Sequence, residues 1–315
     1  MSTTDVGARE RLLRGTPVDD QRMDLAGVAT SVLVGGSGPP MVLLHGPGEF
    51  AAGWLPVLPQ LVRSHRVIVP DLPGHGASEI LDGGLDADGV LRWLGALIER
   101  TCSAPPVLVG RTVGGAIAAR FAAERPGRLA ALVLVDTLGL VPFEPDPRFA
   151  LALHRFLAGP TGRSYERLME LCAFDLDVVR ERWGPRWEPF ADYAVERSGT
   201  PSVQAATGAL IGQFAATPIP VEELARIDVP VALIWGRDDL ATPLSVAEAA
   251  AVRNGWPLHV IAEAGDDPTL DRPVEFLEVL NTALATALDT ALDTALGARP
   301  AAAVAVGDTP TDRET

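Results

Sequence analysis

A threonine set among glycines is the first group in this chain placed to do chemistry. Gly110-Arg111-Thr112-Val113-Gly114 lies within "PPVLVGRTVGGAIAARFAAERP", which reads as a strand, a sharp turn and a helix. Glycines at 110, 114 and 115 let such a turn come close to neighbouring strands, so the Thr112 side chain projects from the strand end. A hydroxyl there attacks only if a base takes its proton, and the methyl on the threonine Cβ crowds the turn. Acidic residues gather after two later strands, Asp239 in "WGRDDLATP" and Asp266 with Asp267 in "AGDDPTLDRPVEF". An exposed aspartate with a pKa near about 4 is a poor base for an alcohol.

The elements that must position these groups follow a regular rhythm. Valine-rich apolar runs at 41–46, 65–71, 106–110, 129–136, 230–236 and 257–265 read as strands of a parallel sheet buried on both faces. Two alternating segments, 19–25 and 28–34, predict an antiparallel edge, which gives about eight strands. Helical patterns near 51–63, 87–100, 114–124, 244–253 and 273–296 lie between and after the strands. This is a mostly parallel, doubly wound α/β architecture.

Residues 142–220 break the rhythm with aromatic and charged residues at helical spacing and no valine-rich strand. They predict a helical lid inserted after the sixth strand, over the strand C-termini where open parallel sheets bind ligands. The expected organisation is an N-terminal extension (1–18), a core (19–141 and 221–297), the lid (142–220) and a disordered tail (298–315). In the last helix Leu280, Leu284, Leu288, Leu292 and Leu296 form a drifting stripe that either docks on the body or makes a homodimer contact.

Composition narrows the chemistry. The 315 residues carry a net charge of −15, against a nucleic-acid partner, which needs a basic surface. All 26 basic residues are arginine, so lysine Schiff bases, lysine-anchored pyridoxal phosphate and a Walker-type lysine are excluded. Cys102 and Cys172 lie far apart and suggest neither a zinc site nor a disulfide framework. No cofactor and no metal are called for. No apolar run approaches the roughly 20 residues that cross a bilayer, and the first 15 residues hold no apolar signal region. The expectation is a cytoplasmic chain without a membrane partner.

Five landmarks in order make the sequence resemble the α/β-hydrolase superfamily over residues 20–297, in particular its lidded ester and C–C-bond hydrolases. They are "LLHGPGEF", "PDLPGHGAS", "VGRTVGG", "WGRDDLATP" and "AGDDPTLDRPVEF". The resemblance implies that Thr112 stands at the nucleophile elbow, Asp239 at the triad acid and Asp266 in place of the catalytic histidine. It places the oxyanion-hole donors at the Val113 amide and in the Gly46-Pro47-Gly48 loop, where Pro47 has no N–H to give. It brings Asp239 and Asp266 to one cleft, where two carboxylates cannot both ionise cheaply; one then has a raised pKa and serves as a proton donor. Solvent or an arginine, Arg111 or Arg237, could instead separate them.

Candidate pocket residues are Arg111, Asp267, His154, Trp183 and Trp187, with His154 the one histidine of the lid. His45 and His75 sit in landmark motifs and read as loop braces, and His65 and His259 belong to strands. Three functions stand open. One is a cofactor-independent enzyme of cyclase, isomerase, dehydratase or lyase type acting on an apolar small molecule. The second is a ligand-binding or partner module without catalysis. The third is an unconventional ester or C–C-bond hydrolase using Thr112 or an activated water.

Overall fold

The computed structural model describes residues 7–81, 84 and 86–295, with side chains as far as residue 286. The tail expected over 298–315 lies outside the described residues, as does Leu296. Of the leucine stripe, Leu280 and Leu284 have described side chains, and both are buried against the body.

The apolar runs become the strands of one sheet. They are β1 (Asp19–Leu25), β2 (Val28–Gly35), β3 (Pro40–Leu44), β4 (Arg66–Pro70), β5 (Glu79–Ile80), β6 (Val107–Arg111), β7 (Ala131–Val135), β8 (Val231–Gly236) and β9 (Leu258–Ile261). The spatial order is β1-β2-β4-β3-β6-β7-β8-β9, with β5 paired to β2. β1 and β2 form an antiparallel hairpin, β2 meets β4 antiparallel, and every pairing from β4 to β9 is parallel. The two-residue β5 was not legible as a strand, because so short a segment shows no period.

Strand periodicity sends alternate side chains to opposite faces. Met41, Leu43, Val67, Val69, Val109 and Val133 join one buried cluster. Val42, Leu44, Ile68, Leu108, Leu132 and Leu134 join the other. Helices cover both faces, so the strands read as continuous apolar runs rather than as alternating ones. The helix expected over 51–63 is instead a 3₁₀ turn, Ala51–Trp54, and a four-residue helix, Leu58–Leu61. Pro56 and Pro59 interrupt it, each lacking the N–H that an interior helical position must donate.

The chain leaves β3 toward β4 on one side and leaves β6 toward β7 and β8 on the other. The adjacent C-terminal ends of β3 and β6 are therefore a topological switch point, where parallel sheets open a crevice. Between β7 and β8 run the helices Pro147–Ala158, Gly162–Cys172, Leu176–Trp183, Trp187–Ser198 and Pro201–Leu210, then a π-helical turn, Ile211–Ala215. Among the described residues no helix is long and apolar enough to cross a membrane.

The N-terminal segment is tied into this body. A short helix, Ala8–Leu13, buries Leu12 completely and packs on the Trp187–Ser198 helix. Its Arg9 reaches the fully buried Asp71 at 3.0 Å and bonds Asp20 and Ser31. Asp71 also accepts the Ala51 N–H at 2.6 Å and the Ala77 N–H at 2.8 Å. Burial pushes the Asp71 carboxyl above its usual range, and Arg9 and the two amides oppose that push. Arg9→Ala would strand a buried carboxylate, so we expect a loss of about 3 kcal/mol in urea unfolding at pH 7. Adding Asp71→Asn should recover part of it; a loss below about 0.5 kcal/mol, the scale of an exposed pair, would refute the buried tie.

Candidate active site

The turn after β6 is strained, and its packing keeps it so. Thr112 has φ 47° and ψ −114°, a left-handed backbone that costs a β-branched residue on the order of 1–3 kcal/mol. A Cβ on Gly114 would press on the Leu44 and His45 carbonyls, at 2.7 and 2.5 Å, so the turn closes only with glycine there. The backbone is held by Thr112 N–H to Val135 O at 3.0 Å and Leu138 N–H to Thr112 O at 3.2 Å. The Thr112 hydroxyl is buried without a hydrogen-bond partner, lying over Gly46 beside the Glu49 carboxylate.

In front of this turn lies a cavity with an empty volume of about 1190 Å³, counting its open mouth. Its wall is largely apolar, with Phe50, Phe143, Phe149, Phe156, Tyr165 and Phe190 supplying the aromatic surface. Thr112, Glu49, Arg111, Cys172, Asp266 and Asp267 form a polar cluster at one end, and Ser198 and Thr242 also line the wall. An apolar chamber with a few convergent polar groups is the usual form of a small-molecule site.

Three carboxyl groups lie behind and beside that end. Asp136, the residue after β7, is fully buried with φ 41°, and its Oδ1 accepts the Gly236 N–H at 2.9 Å. Asp239 is buried, with Oδ1 accepting the Ala241 and Thr242 amides at 2.7 and 2.8 Å. The other oxygen of each receives no N–H, and the two carboxyls lie within hydrogen-bond reach of each other. One proton held between them satisfies both. Burial raises Asp239 to about 7 against the pull of its two amides and Asp136. Burial, and then the charge of Asp239, push Asp136 well above the carboxylate range.

Asp266 faces the cavity, and its N–H bonds Cys172 O at 3.1 Å. Its exposed part is cavity wall, while the carboxyl itself is desolvated. That desolvation, then Asp239, lift its pKa well above the usual range, with Arg111 pulling the other way. Burial thus favours the protonated form of Asp266. The Cys172 thiol beside it is raised by burial and by Asp266, which keeps it protonated as well.

Arg111 is the cation of the site. Its side chain is 3% exposed, and it pairs through Nη2 with Glu49 and through Nη1 with Asp267. Its guanidinium also lies 5.6 Å from the Trp54 ring centroid. Glu49 Oε2 takes the Gly46 N–H at 3.1 Å as well, so a carboxylate sits against the loop that the resemblance assigns to the oxyanion. Among the described residues no group of three or more His, Cys, Asp or Glu side chains is arranged to hold a metal.

The model of the alpha/beta hydrolase family matches residues 41–279. The chain belongs to that family. Its relatives include the pimeloyl-[acyl-carrier protein] methyl ester esterase of Aeromonas salmonicida (strain A449), 28% identical over 258 residues, 78% of this chain and 95% of that protein. Another is the 2-hydroxymuconate semialdehyde hydrolase of Pseudomonas sp. (strain CF600), 27% identical over 286 residues, 86% of this chain and 96% of that protein. The structure of 2-hydroxy-6-oxo-6-phenylhexa-2,4-dienoate hydrolase from Rhodococcus sp. strain RHA1 superposes with a TM-score of 0.74 at 25% identity, covering 85% of this chain and 99% of that one. These relatives are hydrolases.

Within this α/β-hydrolase frame the structure brings Thr112, Arg111, Asp266, Asp267, Pro47 and Gly48 to the cavity, with Asp239 directly behind. Val113 begins the helix after the turn, where an amide has no intrahelical partner. The Gly46 amide is already bonded by Glu49. The charge of Asp239 raises Asp266 and that of Arg111 opposes it, while Arg237 is exposed.

Three of the candidate pocket residues lie elsewhere. His154 is exposed, because the Pro147–Ala158 helix turns Phe149, Leu153, Phe156 and Leu157 to the cavity and His154 away from it. Trp183 and Trp187 do not line the cavity; they pack behind Phe190, Trp183 at 4.5 Å between ring centroids and Trp187 at 5.9 Å. None of the five histidines lines it. His45 accepts the Leu72 N–H and donates to Gly46 O, and His75 bonds Pro73 O and the Thr207 hydroxyl. Burial lowers both to about 4, so both are neutral braces. Sequence reasoning missed Glu49, Asp136 and Cys172. The first two were visible as the acid of "HGPGEF" and the acid closing "LVLVD"; Cys172 gave no signal.

Asp239 makes the site testable by pH. Its native pKa of about 7 exceeds an unfolded value near about 4, so its contribution to stability is complete below about 4 and is lost as pH rises toward 7. Asp239→Asn removes that dependence. Urea unfolding from pH 4 to 7 should show the variant gaining on the wild type by up to about 1.4 kcal/mol per pH unit. Parallel pH profiles for the two proteins would refute the raised pKa.

Proposed function

We propose that this α/β-hydrolase-family chain is a cofactor-independent acid–base catalyst of cyclase, isomerase, dehydratase or lyase type, acting on an apolar small molecule held in the cavity. The reading rests on one observation above the others: Asp266, in the loop after β9, presents a desolvated carboxyl to an apolar chamber with Asp239 behind it. A protonated carboxyl in such a place protonates an oxygen or carbon of the substrate. The carboxylate so formed then takes a proton from a neighbouring substrate atom, and the group returns to its starting state. The mostly apolar wall excludes water, which strengthens the field at the acid and protects a reactive intermediate.

Hydrolysis fits these groups less well. A threonine attack needs a base within reach, yet burial favours the protonated form of Asp266, no histidine lines the cavity and the Thr112 hydroxyl is buried with no partner. What favours hydrolysis is the company of hydrolases among the relatives. Testing wild type and Thr112→Ala on a panel of aryl esters separates the two. We expect no turnover above background in either; turnover lost in Thr112→Ala would establish the hydrolytic reading instead.

The acid itself is tested with small molecules that copurify with the protein or bind it from cell extract. Incubated in D₂O and followed by mass spectrometry, wild type should yield a product carrying solvent deuterium. Asp266→Asn should retain the ligand and slow its conversion at least about 100-fold, the scale of one general acid. Conversion unchanged in Asp266→Asn would overturn the assignment, and binding without conversion in both would leave a ligand-binding module.

A further inference from the structure

We infer that Glu49 holds the seat of a carboxylate carried by the ligand, so that the cavity takes an apolar carboxylic acid that displaces Glu49 from Arg111. The inference rests on the reading of this cavity as the substrate site, and it names the class of substrate.

Three donors converge where the Glu49 carboxylate lies. The Gly46 N–H bonds Oε2 at 3.1 Å, Arg111 Nη2 bonds the same oxygen, and the buried Thr112 hydroxyl, with no partner of its own, lies over Gly46 as the other oxygen, Oε1, does. A backbone N–H, a guanidinium and a hydroxyl around one point are a complete set of donors for a carboxylate. A buried hydroxyl left without a partner has lost its water and gained nothing in exchange. A ligand carboxylate seated slightly deeper than Glu49 would satisfy it.

Of the two anions on Arg111, one is fixed and one is free to leave. Asp267 is tied by the Thr269 and Leu270 amides at 3.0 and 3.2 Å and by the Thr269 hydroxyl at 2.6 Å. Glu49 has no such ties beyond the site; its side chain is 37% exposed and it follows Gly48, whose φ is +74°. Swinging it outward returns a carboxylate to water at little desolvation cost. The exchange replaces one negative charge by another, so the buried guanidinium keeps two anionic partners and Asp266 feels the same field. The charge on the buried Nη2 favours a carboxylate over a neutral carbonyl or hydroxyl. The rest of the ligand would lie on Phe149, Phe156 and Leu168, with Asp266 near the atoms next to its carboxylate.

Calorimetric titration of the full chain with matched probes tests this. The probes are decanoate and 2-naphthoate, against 1-decanol and 2-naphthalenemethanol. Glu49→Ala, which removes the competing anion, should tighten the two carboxylates at least about tenfold and move the two alcohols less than about twofold. Glu49→Gln should tighten the carboxylates by a smaller factor, since its amide still fills the seat. Arg111→Met, where a melt shows it folded, should erase the difference between carboxylate and alcohol; if it does not fold, the Glu49 variants decide. Equal tightening of acids and alcohols would mean only that space was freed, and would overturn the inference. So would the absence of saturable carboxylate binding to Glu49→Ala. Asp266→Asn should keep the preference for carboxylates, so loss of conversion there and loss of preference here report on different claims.

Discussion

Arg111 sets the charge balance of this molecule at the point where its sheet divides. As the last residue of β6 it is carried into the crevice between the ends of β3 and β6, and the strained turn at Thr112 fixes its direction. It directly neutralises Glu49 and Asp267, and its field opposes the ionisation cost of Asp266 and Asp136. One guanidinium does not suffice for so many acids in a poorly solvated place. Burial first, and the charge of Asp239 on the other two, shift Asp136, Asp239 and Asp266 all upward. The raised carboxyls at the strand ends are thus a consequence of burial that one guanidinium only partly offsets.

The helices between β7 and β8 are bound to the sheet by ties that lie close to the site. His75 meets Thr207 at 3.1 Å, and Asp271 accepts the Phe174 and Gly265 amides. Arg182 donates to the Leu270 and Asp271 carbonyls at 2.8 and 2.9 Å. The N-terminal helix adds Arg9, whose partner Asp71 also holds the Ala51 amide just beyond the Glu49 loop. Phe50 packs edge-on against Tyr193 at 4.8 Å, a contact worth about 0.5–1.5 kcal/mol beyond its buried area. The position of the cavity wall is therefore set by the same residues that hold the insertion on the core.

The family frame and the chemistry of the site can be separated on physical grounds. The frame needs glycines at the turn, a crevice at the switch point and loops braced by neutral histidines, and all of these are present. Hydrolysis by a hydroxyl needs in addition a base whose pKa lies near the working pH. In the loop after β9 Asp266 presents a carboxyl whose pKa burial raises well above the usual range. Fold and activity are set by different residues, which is how one scaffold carries unlike reactions.

The sequence by itself determined the sheet, its parallel character and the order of its motifs. Valine-rich runs buried on two faces and glycines at a close turn are local requirements that leave a local record. It also placed Thr112, Asp239 and Asp266 at strand ends. The prolines that split the 51–63 helix are a local signal as well, whereas the outward turn of His154 depends on which helix face meets the cavity. Only the tertiary structure brought Glu49 to Arg111 across 62 residues of chain and set Asp136 against Asp239. Protonation was decided there too, since a pKa follows from burial and neighbouring charge, and neither is written in the order of the residues.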